Sequence, residues 1–476
     1  MTTLTEQLKE KSVLQTEAEN MDEWYLAFEI WFKTEFFIPN SNPTEYMICW
    51  DDNEQAWFRY SEEKGYYLEQ SLTQMKKLIQ HWADSAGIKT SDARINHELH
   101  RLSCITILQT EWDSKHFLNC RNGLYLIDEK RLIAHTASYH TRFQLGTAFL
   151  EKKQKTPCWD QIRKIYPDQI DHFERFVLAA LYQDFSNEAM YFGVGPTGSG
   201  KGTISQLIQQ IFGSGITYVN LEELNNDKFG IVPLLAKRML LNREGTIGHL
   251  GAPVVRFLKD VVTHEGPIDV NVKNKNRVNY VFNVWFAIFT NGLPHLPEGT
   301  DREAWFRRVI LDEYNLTQKR DIQFKAKIRS EADAIFTNML LMEYTPLIDS
   351  GTNIPEYVEK VAALWDYWAD PVKRVVLELF EYSKAEVIEI SDAATLVKTR
   401  LDRIHVYMRE DRLKANITLY LERLKIKRYG KNKYINIRVK DEDAQKELTD
   451  LQSWVEEEKD PYQIKSNVLD KMIKRD

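Results

Sequence analysis

The chain of 476 residues has only four cysteines, Cys49, Cys104, Cys120 and Cys158, and none are spaced CxxC. That excludes a disulfide scaffold and a zinc ribbon and fits a reducing compartment. Long apolar runs are also missing. The longest, Val281 to Phe289, covers nine residues and contains Asn283, far short of the ~20 needed to cross a bilayer. The opening residues, MTTLTEQLKEKS, lack a basic segment followed by an apolar one, so no secretory leader, no membrane partner and a cytoplasmic location are expected. There is no internal repeat and no low-complexity segment. What is present is 43% hydrophobic and 28% charged, a soluble composition with ample core material. At roughly 150 residues per domain it implies about three domains.

The net charge of -7 is unevenly spread. Residues 1–110 carry 18 acids against 10 bases, and the tail 441–476 carries 11 acids against 6 bases. Between them, residues 412–440 hold ten bases (Arg412, Lys414, Arg423, Lys425, Lys427, Arg428, Lys431, Lys433, Arg438, Lys440) and one acid, Glu422. A local block of this kind points to a nucleic-acid partner where the average does not.

Met21–Phe37 reads as an amphipathic helix, and Leu72–Trp82 as another, with strand-like runs such as Gly123–Ile127 between helical patterns. From Trp159 a helical run reaches Gln183. It is followed by an apolar strand, Ala189–Val194, a glycine-rich turn, and a helix from Lys201. Arg238–Leu241 and Phe282–Phe289 are further strands, with a helix near Val254–Thr263. Alternation of this kind implies a mainly parallel sheet covered on both faces. A turn-rich break at Gly351–Pro355 precedes three helices (about 371–382, 392–402 and 409–424) and a strand–turn–strand, Lys425–Tyr429 and Lys433–Val439.

The strongest motif is Gly195-Pro196-Thr197-Gly198-Ser199-Gly200-Lys201-Gly202-Thr203, after a strand and opening a helix. Phosphates need converging backbone N–H groups, glycines where side chains would collide, a helix N-terminus and a lysine, so the segment is expected to bind ATP. Gly202 stands where a Ser or Thr usually coordinates Mg²⁺, which leaves Thr203 as the candidate hydroxyl. About 40 residues on, the strand Lys237–Leu241 leads to Glu244, the candidate for holding Mg²⁺ and polarising the attacking water. Asn291 ends the strand Phe282–Thr290, where an amide can orient that water. Arg307 or Arg308 is expected to be an arginine finger reaching a neighbouring subunit. Between acid and asparagine, Pro267–Val281 reads as a β-hairpin with Lys273, Lys275 and Arg277 at or near its tip, suited to a DNA backbone.

These segments together resemble the superfamily 3 helicases of the AAA+ class, in particular the helicase halves of phage, plasmid and poxvirus-type primase-helicases. The resemblance rests on the P-loop strand, Phe229–Arg238 leading to Glu244, Thr290-Asn291-Gly292-Leu293-Pro294 and Ala304–Val309. Upstream, Phe117–Tyr125, His135-Thr136 and Pro157-Cys158-Trp159 are similar to the helical domain that precedes the ATPase there, so it covers roughly 115–315. Replication initiators of bacterial mobile islands, including the staphylococcal pathogenicity-island type, have this size and layout. The resemblance implies a homo-hexameric ring that hydrolyses ATP with Mg²⁺ at subunit interfaces and unwinds DNA. The expected fold is an α/β AAA+ P-loop ATPase core with a mainly helical N-terminal region and a C-terminal winged-helix domain. The expected divisions are 1–115 (acidic collar or interaction region), 116–185 (helical domain), 186–350 (ATPase), 356–440 (winged helix) and 441–476 (acidic tail).

A fused primase would need an Asp-x-Asp pair with a histidine, and the first 115 residues hold none. Asp51-Asp52 are adjacent and read as surface acids, so no primase activity is expected. In the C-terminal block, Asp411–Leu424 is the expected recognition helix, with Arg412 and Lys414 near its start. Lys427, Arg428, Lys431 and Lys433 surround the wing, with Tyr429 and Tyr434 among them, and the expected partner is duplex origin DNA. The pore hairpin would hold single-stranded DNA. Host replication proteins are possible partners of the acidic N-terminus. Two rivals remain open: a non-helicase AAA+ switch, and a nucleoside-phosphate kinase, although no Asp-Gly-aromatic-Pro-Arg segment follows the P-loop.

Overall fold

The computed structural model describes residues 21–38, 46–108, 111–221, 224, 231–243, 250–271, 278–316, 321–348, 352–403, 406, 408–430 and 433–440. The chain divides into two compact units, one of residues 1–291 with 296–358, the other of 292–295 with 359–476. No helix among the described residues is long and apolar enough to cross a membrane.

In the first unit, the helix Met21–Glu35 buries Trp24, Phe28 and Phe32 completely. Trp82, from the helix Leu72–Ser85, meets Trp24 and Phe28 edge-on at centroid distances of 5.6 and 4.9 Å. A capping box starts that helix, with Ser71 and Gln74 each accepting the other's backbone N–H. A third helix is Asp92–Ile105. To these helices the structure adds an antiparallel meander, β1 (Ile48–Asp51), β2 (Ala56–Ser61) and β3 (Tyr66–Gln70), which helical periodicity does not predict. Its aromatic alternation, Trp57-Phe58-Arg59-Tyr60, is the strand signal. Of the two acids read as surface groups, Asp52 is exposed but Asp51 is not. Asp51 is buried, accepts from the backbone of Asn53 and Glu54, and takes the Trp112 indole N–H at 2.6 Å.

The stretch expected to be a helical domain likewise begins with a meander, β4 (Phe117–Cys120), β5 (Gly123–Leu126) and β6 (Arg131–Ile133). Gly123 allows its tight return: at φ 151°, a Cβ there would stand 2.3 Å from the Ile133 carbonyl oxygen. The run expected as one helix from Trp159 to Gln183 is two, Pro157–Ile165 and Pro167–Tyr182. The cause is local. A residue before proline is pushed out of the helical region, and Tyr166 adopts φ −133°, ψ 65°.

The centre is a five-stranded sheet built from β7 (Met190–Val194), β8 (Ile216–Thr217), β9 (Met239–Asn242), β12 and β13. A separate antiparallel hairpin, β10 (Ile268–Val270) and β11 (Val278–Tyr280), precedes β12 (Trp285–Thr290) and β13 (Val309–Glu313) in the chain. The order is β13-β7-β12-β9-β8 and every pairing is parallel. All residues of β7, β9 and β12 are buried, as a parallel sheet covered on both faces requires. The helices Pro167–Tyr182, Lys201–Phe212 and Ile322–Leu340 share one core with it, through Phe173, Phe176, Ile204, Leu207, Ile328 and Phe336. The α/β core is therefore observed; β8, β13 and the helix Ile322–Leu340 are additions to the sequence reading.

The second unit runs helix Pro371–Leu379, β14 (Phe380–Glu389), helix Ile390–Arg403, helix Glu410–Arg423, β15 (Lys427–Tyr429) and β16 (Lys433–Val439). Its sheet order is β14-β16-β15, antiparallel. The helix expected over 371–382 stops at Leu379, where Phe380 turns extended and β14 begins. Tyr382 pairs with Ile437 and Ile388 with Tyr434, so tertiary pairing decides what the local pattern left open.

Candidate functional site

The glycine-rich loop leaves the C-terminal end of β7 and enters the helix Lys201–Phe212. Gly198 and Gly200 sit at φ 85° and 95°, a region open to glycine and costly for other residues. The Lys201 ammonium, 8% exposed, donates to the carbonyls of Gly195 (2.6 Å) and Pro196 (2.8 Å) and to Ser199 Oγ (3.2 Å). Its three N–H donors all point into the loop that would wrap a phosphate.

Burial pushes the Lys201 pKa down to about 8. Phosphate favours the ammonium, so binding above that pH must be accompanied by proton uptake. Nucleotide affinity is therefore expected to be level below pH 8. It should fall by up to roughly tenfold per pH unit above it, until the pKa of the bound state is reached. A fluorescent-nucleotide titration between pH 7 and 10 checks this, and a flat profile contradicts it.

Sheet register aligns the rest. Thr290 pairs with Val194, and the Gly195 N–H donates to the Thr290 carbonyl at 3.3 Å, so exposed Asn291 stands level with the start of the loop. On the far side of β12, Asn242 of β9 pairs with Ile288. Arg243, one residue on, donates to Gln209 Oε1 and lies 5.0 Å over the Tyr218 ring. Glu244, the candidate acid, is outside the described residues, as are Lys273, Lys275 and Arg277, expected at the hairpin tip. Thr203 is buried, whereas Gly202 is exposed. The exposed position in the first turn thus carries no side chain for a cation.

Two tyrosines that sequence reasoning missed brace the loop. The Tyr166 hydroxyl lies 3.1 Å from the Ser199 carbonyl and 2.9 Å from the Leu316 carbonyl, and accepts the Leu316 N–H at 3.1 Å. The same proline-forced break that ends the helix Pro157–Ile165 puts Tyr166 there. Tyr314 N–H donates to the Val194 carbonyl at 2.7 Å. Its buried hydroxyl meets Tyr191 at 2.5 Å, and Tyr191 lies 2.8 Å from Asp312 Oδ2, whose other oxygen bonds His172. Tyr166→Phe strips the loop of this strut and leaves the carbonyl of buried Ser199 without that donor. It is expected to cost about 1–3 kcal/mol and to weaken nucleotide binding severalfold. Isothermal titration checks it, and unchanged affinity removes the strut from the site.

The two arginines separate clearly. Val309 pairs with Met190 and Glu313 with Val194, so the arginines lie at the end of β13 away from the loop. Four strand steps make that offset about 13 Å, more than an arginine side chain spans. Arg308 is buried, with Nη2 at 2.6 Å from Glu188 Oε2 and Nη1 donating to the Ala304 carbonyl at 2.7 Å. Arg307 is exposed and only 3.4 Å from the same Glu188 oxygen.

Residues 194–308, from the last residue of β7 to the arginine pair, match the model of a family described as "Family of unknown function (DUF5906)". No curated protein matches the chain. Among solved structures it is similar to the apo structure of the NrS-1 C terminal region (305-718), at 12% identity and TM-score 0.46 over 82% of this chain and 96% of that one. The A form apo structure of the same region gives 12% and 0.44, over 79% and 85%. A JCV helicase structure gives 14% and 0.23, over 52% of this chain and 70% of that chain.

In the second unit, the helix Glu410–Arg423 buries Leu413, Ile417 and Leu421 and leaves Arg412 exposed. Lys414 is tied to Glu410 at 2.5 Å. Lys427, Arg428 and Lys433 are exposed on β15 and β16, with Tyr429 67% exposed among them. Lys431 lies outside the described residues. Tyr434 does not belong to that surface: it is 1% exposed, its hydroxyl 2.6 Å from Thr418 Oγ1. Alternation along β16 turns it inward while Lys433 faces out.

Proposed function

We propose that this chain is an ATP-dependent DNA helicase and replication initiator of a mobile genetic element, working as a ring of identical subunits. The observation that carries the reading is the placement of two groups at opposite ends of one sheet. The phosphate loop follows the C-terminal end of β7, and the exposed Arg307 lies two residues before β13, at the opposite end of the same sheet. A site whose own arginine is about four residues of strand away is completed by a neighbour's arginine, and a ring supplies one at every interface. Asn291 beside the loop then orients the attacking water. Lys201 and the loop amides fit the triphosphate. Glu244 is the acid for Mg²⁺, which supplies charge neutralisation at the transferred phosphate.

Thr203, being buried, is the weaker candidate for the metal, and the hydroxyl position at 202 is vacant of side chain. Lys273, Lys275 and Arg277, which lie in the sequence between β10 and β11, are the contacts to single-stranded DNA in the pore. The second unit has helices and strands ordered as in a winged helix, with exposed Arg412, Lys427, Arg428 and Lys433 for duplex origin DNA. The acidic first 110 residues are the docking region for host replication proteins.

ATP-dependent displacement of a strand from a 3′-tailed fork tests the proposal, with Lys201→Ala as the blank. Displacement lost in that variant supports it. ATP hydrolysis without displacement favours a DNA-binding switch, and hydrolysis indifferent to DNA favours a kinase.

A further inference from the structure

The residue after the loop lysine normally offers a hydroxyl toward the metal and the outer phosphates, and here it is Gly202. A Cβ built on Gly202 would lie 3.8 Å from Lys325 Nζ, with no other atom beyond its own helix within 4 Å. Lys325 belongs to the helix Ile322–Leu340, more than a hundred residues further along the chain.

Its placement is fixed by a ladder of contacts. Four residues on, the Arg329 guanidinium donates through Nε and Nη2 to the Gln206 side-chain oxygen, itself four residues after Gly202. Four further on, Asp333 pairs with Arg121 at 2.5 Å and accepts the Ala148 N–H at 3.0 Å. Residues spaced by four share one helix face, so these contacts set the register in which Lys325 meets the first turn. The apolar side of the helix, with Ile328, Ile335 and Phe336 buried, anchors it in the common core. Lys325 is exposed, and among the described residues no carboxylate pairs with it.

We infer that Lys325 is a second phosphate-binding lysine, whose ammonium occupies the side of the cradle that a hydroxyl at position 202 would otherwise face. This rests on the nucleotide site proposed above. Lys201 is held within the loop and Lys325 reaches its first helical turn from the neighbouring helix, so a bound β- and γ-phosphate would meet two ammonium groups from separate elements. An ammonium delivers charge there without a metal-coordinating hydroxyl, and a glycine at 202 leaves the space beside it open to the Lys325 tip.

The test is nucleotide binding by the full chain, with ATP, ADP and AMP titrated against wild type, Lys325→Gln and Lys325→Arg. Loss of one charge-assisted hydrogen bond predicts roughly tenfold or greater weakening of ATP and ADP in Lys325→Gln. AMP, which lacks the outer phosphates, should bind as to wild type, and Lys325→Arg should recover much of the loss. Because the side chain is exposed, the unfolding temperature without nucleotide should not move, which separates phosphate contact from a structural role. Equal ATP affinity in wild type and Lys325→Gln overturns the inference while leaving the nucleotide site intact. So does an equal loss for all three nucleotides. A folded wild-type chain that binds none of them overturns both this inference and the reading beneath it.

Discussion

Arg307→Ala is expected to lower ATP hydrolysis by roughly 10³-fold or more, the range set by removal of an arginine finger. Nucleotide affinity should hold, because Arg307 lies at the far end of β13 from its own subunit's loop. Arg308→Ala should behave differently. Its side chain is buried against Glu188 and the Ala304 carbonyl, so its loss costs stability, about 1–3 kcal/mol, and touches hydrolysis only through folding. Mixing makes the assignment sharp. Neither Arg307→Ala nor Lys201→Ala is expected to hydrolyse ATP appreciably alone. In a mixed ring, an interface between the intact loop of one variant and the intact arginine of the other is complete. Recovery of activity on mixing is the expected result. Failure to recover, with Arg308→Ala inactive but fully stable, would transfer the role to Arg308 and undo the argument from burial.

How much of this site was legible depends on how far apart its parts lie in the chain. Nine contiguous residues hold the loop, and the requirement for glycine at 198 and 200 is written in their positive φ angles. The arginine pair was legible as a pair. Which of the two is available depends on Glu188, more than a hundred residues earlier, and no spacing rule reaches that far. Tyr166, Tyr314 and Lys325 carry no signal of their own. One is placed by the proline after it, one by strand pairing, and one by a helix whose register is set by Gln206 and Arg121. The fold follows the same division. The parallel core announced itself through apolar runs between helices, whereas the meander of β1, β2 and β3 and the strand β14 are too short or too dependent on partners to show a clear period. Tyr434 is the instructive error. A tyrosine beside basic residues reads as a DNA-facing ring until pairing fixes which side of β16 it takes.

Gly195→Ala is expected to weaken nucleotide binding strongly. A Cβ at 195 would lie 1.9 Å from the Tyr314 carbonyl oxygen and 2.8 Å from its carbon, distances no rotamer change relieves because both atoms are backbone. Tyr314 cannot retreat. Its N–H is bonded to the Val194 carbonyl and its hydroxyl is buried against Tyr191. The loop must therefore move instead. It would break the Gly195–Thr290 bond that levels Asn291 with the start of the loop and displace a carbonyl that holds the Lys201 ammonium. Overpacking of this kind costs about 1–3 kcal/mol, occasionally more, which predicts ATP affinity lower by up to ~10²-fold together with a lower unfolding temperature. Gly202→Ala makes the contrast, since its Cβ meets only a flexible lysine tip at 3.8 Å and the fold should be untouched. Nucleotide titration and thermal unfolding of the two variants side by side decide the matter. Wild-type affinity in Gly195→Ala would mean that the strand end beside Tyr314 yields freely. The rigid placement of loop, asparagine and lysine on which the catalytic reading depends would then be lost.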